Sequence, residues 1–254
     1  MGVTLLNVTN YSRKYPGRIL TLGVLSMVLG MSVLMAAGPA ETGALEGVVN
    51  LAGAAREASP AKAAAGAVYQ RGAAGGAATL APAEPPVAIV YAEPGDAATI
   101  AAVTVARQGQ TPAAAQIVQK GMRFIPALQA VEVGATVAFP NQDDFYHNVF
   151  SYSAAKTFDL GRYRKDENPA RVVFDQPGVV KIFCEIHEHM RCVILVLKTP
   201  YFATTDAAGH YRLPALPPGA YTLTAWVNDK TLWTRPVVVR AGETVVTDLA
   251  GPAQ

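Results

Sequence analysis

Two short segments of this chain hold four side chains that bind soft metal ions. His147 lies in the first segment, and the second contains, at the spacing Cys-x-x-His-x-x-Met, Cys184, His187 and Met190. One thiolate, two imidazoles and a weak thioether form the ligand set that suits an ion cycling between Cu(I) and Cu(II). The spacing lets one tight loop supply three ligands, whereas the fourth must come from a distant strand. These residues predict one type 1 copper site.

Each of these residues also has an ordinary structural explanation. The alternative for the two cysteines, Cys184 and Cys192, is a disulfide that closes a small loop in an oxidising compartment. Histidine in a loop and methionine in a core are equally ordinary. We favour the copper site because four soft ligands occur together in two segments. Cys192 is then a buried strand cysteine and His189 an exposed residue, and His210 is assigned no role.

The strand before the second segment positions its cysteine. Side chains alternate along a strand, so Val180, Ile182 and Cys184 share one face and Lys181 lies on the other. Cys184 is therefore expected to point inward at the end of the strand. The nearly continuous apolar run at residues 192–197 predicts another strand directly after the ligand loop.

Short apolar segments separated by Gly, Pro, Asn and Asp predict an all-β protein. We find no long amphipathic helix pattern after the leader. Residues 53–86 contain 14 Ala, 5 Gly and 4 Pro and predict a flexible loop. The predicted strands lie at residues 44–51, 87–92, 131–139, 171–174, 179–184, 192–197, 210–213, 221–227, 234–239 and 243–249.

The first 40 residues have the pattern of an export segment. Residues 1–18 carry three basic and no acidic side chains, and residues 19–37 carry no charge. This pattern predicts a secretory signal that is either cleaved or kept as an N-terminal membrane anchor. Both alternatives place the folded part in the periplasm or elsewhere outside the cytoplasm. The leader holds three of the 21 basic residues and none of the 19 acidic ones, so the rest has a formal charge of −1. Nothing in this balance indicates a nucleic-acid partner.

The Cys-x-x-His-x-x-Met loop between two apolar strands resembles the ligand loop of amicyanin-type cupredoxins, the plastocyanin-like blue copper proteins. Residues 147–149 (HNV), after residues 133–137 (VGATV), resemble the upstream histidine segment of that family. The resemblance covers about residues 116–198 and implies a Greek-key β-sandwich. It also implies that Asn148 ties the two ligand loops together by hydrogen bonds, and that one copper is held by His147, Cys184, His187 and Met190.

Residues 205–213 (TDAAGHYRL) and 216–223 (LPPGAYTL) resemble the carboxypeptidase regulatory-like, or transthyretin-like, β-sandwich. Residues 47–49 and 87–92 look like the opening strands of that domain, although about 110 residues separate them from the motif. We therefore expect a cupredoxin unit inserted in, or joined to, a transthyretin-like domain. The expected division is a leader at 1–40, opening strands at 41–108, the cupredoxin unit at 109–198 and the remaining strands at 199–254.

The predicted function is that of an electron carrier and not of an enzyme. The chain has four histidines, too few for a self-contained multicopper oxidase or copper nitrite reductase. A similar two-part arrangement occurs in proteins labelled methylamine-utilisation proteins, which implies a redox partner such as a c-type cytochrome or a dehydrogenase. Glu185 and Glu188 flank the expected exposed edge of His187. They are either ordinary solvated loop residues or an acidic docking rim for a basic partner. The alternatives are a copper storage or delivery protein and a cell-surface binding module, but enclosure of a cysteine ligand favours retention of the metal.

Overall fold

This computed structural model describes residues 41–51, 87–165, 167, 171–229 and 231–250. The predicted leader at 1–40, with its apolar segment at 19–37, and the predicted loop at 53–86 lie outside the described residues. Within the described ranges, no helix reaches the length and hydropathy of a membrane span.

Strands make up most of the described chain, which confirms the predicted all-β class. In chain order the elements are β1 Gly43–Val48, β2 Ile89–Pro94, α1 Ala97–Ala106, β3 Ala115–Gln116, β4 Val118–Gln119, β5 Phe124–Ile125, β6 Leu128–Glu132, β7 Ala135–Ala138, β8 His147–Ser153, β9 Lys156–Tyr163, β10 Arg171–Phe174, β11 Gly178–Phe183, β12 Arg191–Leu197, β13 Phe202–Thr204, β14 His210–Leu216, β15 Gly219–Asn228, β16 Thr231–Val239 and β17 Thr244–Val246.

Two sheets enclose the first core of the molecule. One has five strands in the order β6-β12-β11-β8-β9, and the other has three in the order β10-β7-β3. Alternate side chains of both sheets meet between them, as expected for a sandwich. Val180, Ile182 and Ile194 come from the larger sheet, and Val137 and Phe174 from the smaller one. We call this unit the first sandwich.

The second sandwich is built from strands far apart in sequence. One of its sheets has the order β14-β1-β17 and the other the order β13-β2-β15-β16. Strand β1 pairs antiparallel with β14 and parallel with β17, and β2 lies between β13 and β15. The two earliest strands therefore pair with strands after residue 201, as the sequence predicts. In chain order, the strands of the first sandwich lie between β2 and β13, so the first sandwich is inserted in the second.

A third apolar cluster joins the two sandwiches. Ala130, Leu195 and Leu197 from the five-stranded sheet pack with Ile89 and Trp226 from the four-stranded sheet. Removing this apolar surface from water stabilises the contact between the two sheets. The position of the first sandwich therefore depends partly on the second.

Helix α1 is a feature that the sequence did not predict. The Asp96 side chain accepts a hydrogen bond from the Thr99 backbone N–H at 2.7 Å, which caps the first turn. The buried Thr99 hydroxyl accepts a hydrogen bond from the Ala220 N–H at 3.0 Å, which ties the helix to β15. The segment mixes alanine with β-branched residues of lower helix propensity and lacks a polar face. Its conformation is therefore decided by the cap and by packing.

The alternating segment at residues 131–139 forms parts of two strands and not one. Gly134 has a φ of +90° and turns the chain between β6 and β7, which lie in different sheets. A left-handed φ is readily adopted by glycine. The Gly134 N–H donates to the Phe174 carbonyl at 2.7 Å, which fixes the turn against β10. The predicted strand at 243–249 is likewise shorter, at Thr244–Val246.

Candidate metal centre

Three of the predicted ligands converge at one end of the first sandwich. His147 begins β8, Cys184 follows β11, and His187 lies in the loop between β11 and β12. The Nδ1 atoms of the two histidines are 3.1 Å apart, and the Cys184 Sγ is 3.8 Å from the His187 Nδ1. The ligand atoms of these three residues all lie within 4.8 Å of one another.

The two shortest of these distances, 3.1 and 3.8 Å, fit a single metal ion. Taking Zn²⁺ as a guide, a first-row ion binds imidazole nitrogen at about 2.0 Å and thiolate sulfur at about 2.3 Å. Two nitrogens on one such ion are therefore less than about 4 Å apart, and a nitrogen and a sulfur less than about 4.3 Å. The thiolate and imidazole donors suit copper, among other transition metals. The arrangement therefore fits a copper ion, although ligation itself remains a prediction.

Met190 lies beside this group and is buried. Its exposed fraction is 1%, and its N–H donates to the His187 carbonyl at 2.9 Å. The Met190 carbonyl accepts a hydrogen bond from the Cys184 N–H at 3.3 Å. These two bonds close the loop from Cys184 to Met190, which contains His187. The loop thus holds its shape through its own backbone.

Asn148 connects the two ligand segments. Its backbone N–H donates to the Cys184 Sγ at 3.5 Å, and its side-chain oxygen accepts a hydrogen bond from the Glu185 N–H at 3.4 Å. Its side-chain nitrogen donates to Asp159 and to the Gly161 carbonyl at 2.7 and 3.2 Å. Hydrogen bonds of this kind orient metal ligands and tune their donor strength.

Charges around the cluster shift the protonation of its members. Burial by itself raises the pKa of Cys184, but hydrogen bonds from His147 and from the Asn148 backbone lower this pKa overall. Burial and the positive potential of His147 and His189 lower the pKa of His187. The thiolate and the neutral imidazole, which these shifts favour, are the metal-binding forms.

The pKa of His147 shifts in the opposite direction to that of His187. Burial by itself lowers the pKa of His147, but its contacts with Cys184 and Asp143 raise this pKa above the ordinary value. The same two groups carry negative charge in a site where His147 is 0% exposed. They stabilise a cation at this position, whether that cation is a proton or a metal ion.

The cluster reaches the surface at His187. His147, Cys184 and Met190 are buried, whereas His187 is partly exposed. We call three exposed residues that neighbour the two histidines in sequence the apolar rim: Phe145, Tyr146 and Ile186, which are 40%, 47% and 41% exposed. The Phe145 ring makes edge contacts with the two histidine rings at centroid distances of 5.1 and 5.8 Å. Phe145 therefore covers part of the cluster.

The charges near this rim are of both signs. Glu185 forms an ion pair with Arg162 at 2.6 Å, and Arg164 lies 5.3 Å from the centroid of the Tyr146 ring. Glu188 is exposed. The acidic docking rim predicted from Glu185 and Glu188 is thus partly neutralised by Arg162, a residue of β9.

The remaining sequence expectations concern residues outside the cluster. Cys192 is buried in β12, and neither cysteine forms a disulfide, so the disulfide alternative is not realised. His189 is exposed, with its ring centroid 6.2 Å from that of His187. His210 is exposed and pairs with Asp206 at 3.0 Å, far along the chain from the cluster.

The sequence did not single out Asp143 or Phe145. Asp143 contacts the His147 Nε2 at 2.8 Å, and Phe145 contacts both histidine rings. Both residues precede His147 within the first ligand segment, so their nearness in sequence could have indicated a contact with His147. Two consecutive aspartates, Asp143 and Asp144, gave no means of choosing which one turns inward.

A family model and solved structures match parts of this chain. Residues 192–250 match the model of the carboxypeptidase regulatory-like domain. This range begins within β12, which lies in the five-stranded sheet, and it excludes the predicted metal ligands. Among curated proteins, none matches the chain.

Three solved structures are similar to parts of this chain. An amicyanin mutant in its Cu(I) form is 19% identical over 35% of this chain and 95% of its own, with a TM-score of 0.31. A purple cupredoxin from Nitrosopumilus maritimus is 24% identical over 33% of this chain and 99% of its own, with a TM-score of 0.29. A copper-containing nitrite reductase from Thermus scotoductus SA-01 is 25% identical over 42% of this chain and 28% of its own, with a TM-score of 0.33.

Proposed function

We propose that the chain is an exported type 1 copper protein that carries single electrons between redox partners and is not an enzyme. The observation that supports this most directly is the convergence of one cysteine and two histidines, whose ligand atoms lie within 4.8 Å of one another. His147, Cys184 and His187 would hold the ion, with the buried Met190 as its weak axial ligand. When bound, copper supplies the one-electron couple.

The chain's own contribution is a rigid and enclosed site. Strand β8 fixes His147, and Cys184 directly follows β11. Backbone hydrogen bonds fix the loop from Cys184 to Met190, which contains His187. Burial of these groups excludes water from all but the His187 edge. A site whose ligands are held in place reorganises little when its charge changes, which suits electron transfer better than release of the ion.

The partly exposed His187 is the proposed exit for the electron. It is the cluster residue nearest to solvent, and the apolar rim beside it offers a contact surface of the kind found at protein interfaces. The partner would be another redox protein, such as a c-type cytochrome or a dehydrogenase. Because Arg162 opposes the charge of Glu185, apolar contact at the rim contributes more to docking than charge does.

The proposed location is the periplasm or another compartment outside the cytoplasm. The support is the basic and then apolar pattern of residues 1–40. Residues 19–37 would be removed with the signal or would remain as an anchor. Mass determination of the N-terminus of the exported protein distinguishes these outcomes.

The experiment that tests the function is a copper titration of the metal-free protein. We expect one copper per chain, an intense visible band from thiolate-to-copper charge transfer, and reversible reduction and reoxidation. A protein that binds copper but cannot be cycled contradicts the carrier function. Rapid loss of copper to a chelator, without reversible redox chemistry, supports the delivery alternative instead.

A further inference from the structure

The Asp143 carboxylate makes a fixed contact with the buried ligand His147. Its Oδ2 lies 2.8 Å from the His147 Nε2, on the side of the ring away from His187. An ionised carboxylate accepts hydrogen bonds and cannot donate them, so Nε2 carries the proton. The Nδ1 of His147 then presents its lone pair toward His187 and Cys184. One contact thus selects the tautomer that a metal ion needs.

A tight turn holds the carboxylate from its other side. The Gly121 N–H donates to Oδ1 at 2.8 Å and the Met122 N–H donates to Oδ2 at 3.0 Å. Both residues have left-handed φ values, +60° for Gly121 and +56° for Met122. This conformation is uncommon for a residue with a side chain, so something must hold Met122 in it. Two N–H groups directed at one carboxylate supply that constraint.

The aspartate backbone is also fixed. The Asp143 N–H donates to the Asn141 side-chain oxygen at 2.8 Å, which forms a local turn. The Asn141 side-chain nitrogen donates in turn to the Tyr163 carbonyl at 3.0 Å, in the strand beside His147. The Asp143 side chain is only 11% exposed. Its negative charge is therefore held in a poorly hydrated position, where it acts strongly on the neighbouring imidazole.

We propose that Asp143 is a positioning residue that fixes the tautomer of His147, strengthens its donation to the metal and so lowers the reduction potential of the site. The inference rests on the proposed copper function. A carboxylate hydrogen-bonded to a ligating imidazole raises the basicity of that ligand. Added negative charge stabilises Cu(II) more than Cu(I), because Cu(II) carries the larger charge. Asp143 thereby favours the oxidised form.

Asp143→Asn tests the proposal with Asp144→Asn as its matched control. Asp144 is the next residue, and its side chain is 90% exposed and 3.5 Å from Lys165. We expect Asp143→Asn to bind Cu(II) about tenfold more weakly, with Cu(I) affinity unchanged, because loss of such a partner costs 10- to 100-fold in metal affinity. A tenfold change for a one-electron couple raises the potential by about 59 mV. Asp144→Asn should leave affinity and potential unchanged.

The outcomes separate this inference from the proposed function. A folded, coloured Asp143→Asn protein with the wild-type potential overturns the role of Asp143. A wild-type protein without a cysteine-dependent copper band overturns the copper function instead. If Asp143→Asn fails to fold, nitrogen NMR of the metal-free wild-type protein at alkaline pH decides. We expect a proton on the His147 Nε2 and none on Nδ1, and the opposite tautomer overturns the proposal.

Discussion

The two sandwiches bury different kinds of side chain. The first encloses polar and titratable groups beside its apolar core, including His147, Asn148 and Gln119. The second encloses apolar residues together with threonines such as Thr205, Thr224 and Thr247. Its buried tyrosines direct their hydroxyl groups to backbone oxygens. The Tyr211 hydroxyl donates to the Thr247 carbonyl at 2.6 Å, and the Tyr221 hydroxyl to the Pro217 carbonyl at 2.8 Å.

This difference indicates that the first sandwich holds the candidate metal site and that the second contributes to stability. Buried polar groups are costly unless they are hydrogen-bonded, so the buried imidazole and amide side chains of the first sandwich indicate a function. In the second sandwich every polar contact just described completes a strand or a turn. The third apolar cluster, which includes Leu195 and Trp226, packs the second sandwich against the first. The second sandwich is thus expected to affect the metal site through stability and not through ligation.

The largest expected effect follows from replacing one cysteine and not the other. Cys184→Ser should abolish the thiolate-to-copper band, because a serine hydroxyl is a poor ligand for copper. The matched variant Cys192→Ser should keep the band while lowering the free energy of unfolding by about 1–3 kcal/mol, since a hydroxyl replaces a buried thiol. Absorption spectra and denaturant unfolding of both variants measure this. A colourless Cys192→Ser protein would show that both sulfurs bind the metal.

A change in the second sandwich should alter stability and leave the colour of the native protein intact. A Cβ added to Gly47 would lie 2.1 Å from the Thr247 carbonyl oxygen, so β1 and β17 would have to move apart. We expect Gly47→Ala to lower the free energy of unfolding by about 1–3 kcal/mol. Gly95→Ala is the milder comparison, because its added Cβ would lie 3.3 Å from the Ala220 carbonyl oxygen, a tight contact that a shift of a few tenths of an ångström relieves. We expect its loss of stability to be smaller than that of Gly47→Ala.

Denaturant unfolding of the copper-loaded Gly47→Ala protein also tests the coupling. Because the third cluster joins the sandwiches, we expect the copper band and the strand signal in circular dichroism to disappear together, at a lower denaturant concentration than in the wild type. A band that outlasts unfolding of the second sandwich would mean that the first is stable by itself.

The smallest expected effect comes from the predicted axial ligand. Met190→Leu keeps the volume of this buried side chain nearly constant, so the fold should lose less than about 1.5 kcal/mol. Copper and colour should persist, and the potential should rise because a weak donor to Cu(II) is lost. Electrochemistry of the copper-loaded variant measures the shift. Complete loss of copper would contradict a weak axial role and would assign Met190 a main share of the binding.

The sequence by itself determined the features that depend on residue type and local spacing. Alternation along one strand predicted the inward face shared by Val180, Ile182 and Cys184, and all three are buried. The Cys-x-x-His-x-x-Met spacing brought its ligands together because one short loop contains them. Turn residues between apolar segments predicted most strands, since glycine and proline end strands for local steric reasons.

Only the tertiary structure decided which distant groups meet. It brought the Gly121 N–H to the Asp143 carboxylate and Arg162 to Glu185, and it packed the two sheets together at the third cluster. It also held Ala97–Ala106 as a helix through contacts with β15. Each of these depends on strand register and on packing between segments far apart in sequence. Local patterns do not specify such contacts, because the same exposed or buried residue types fit many partners.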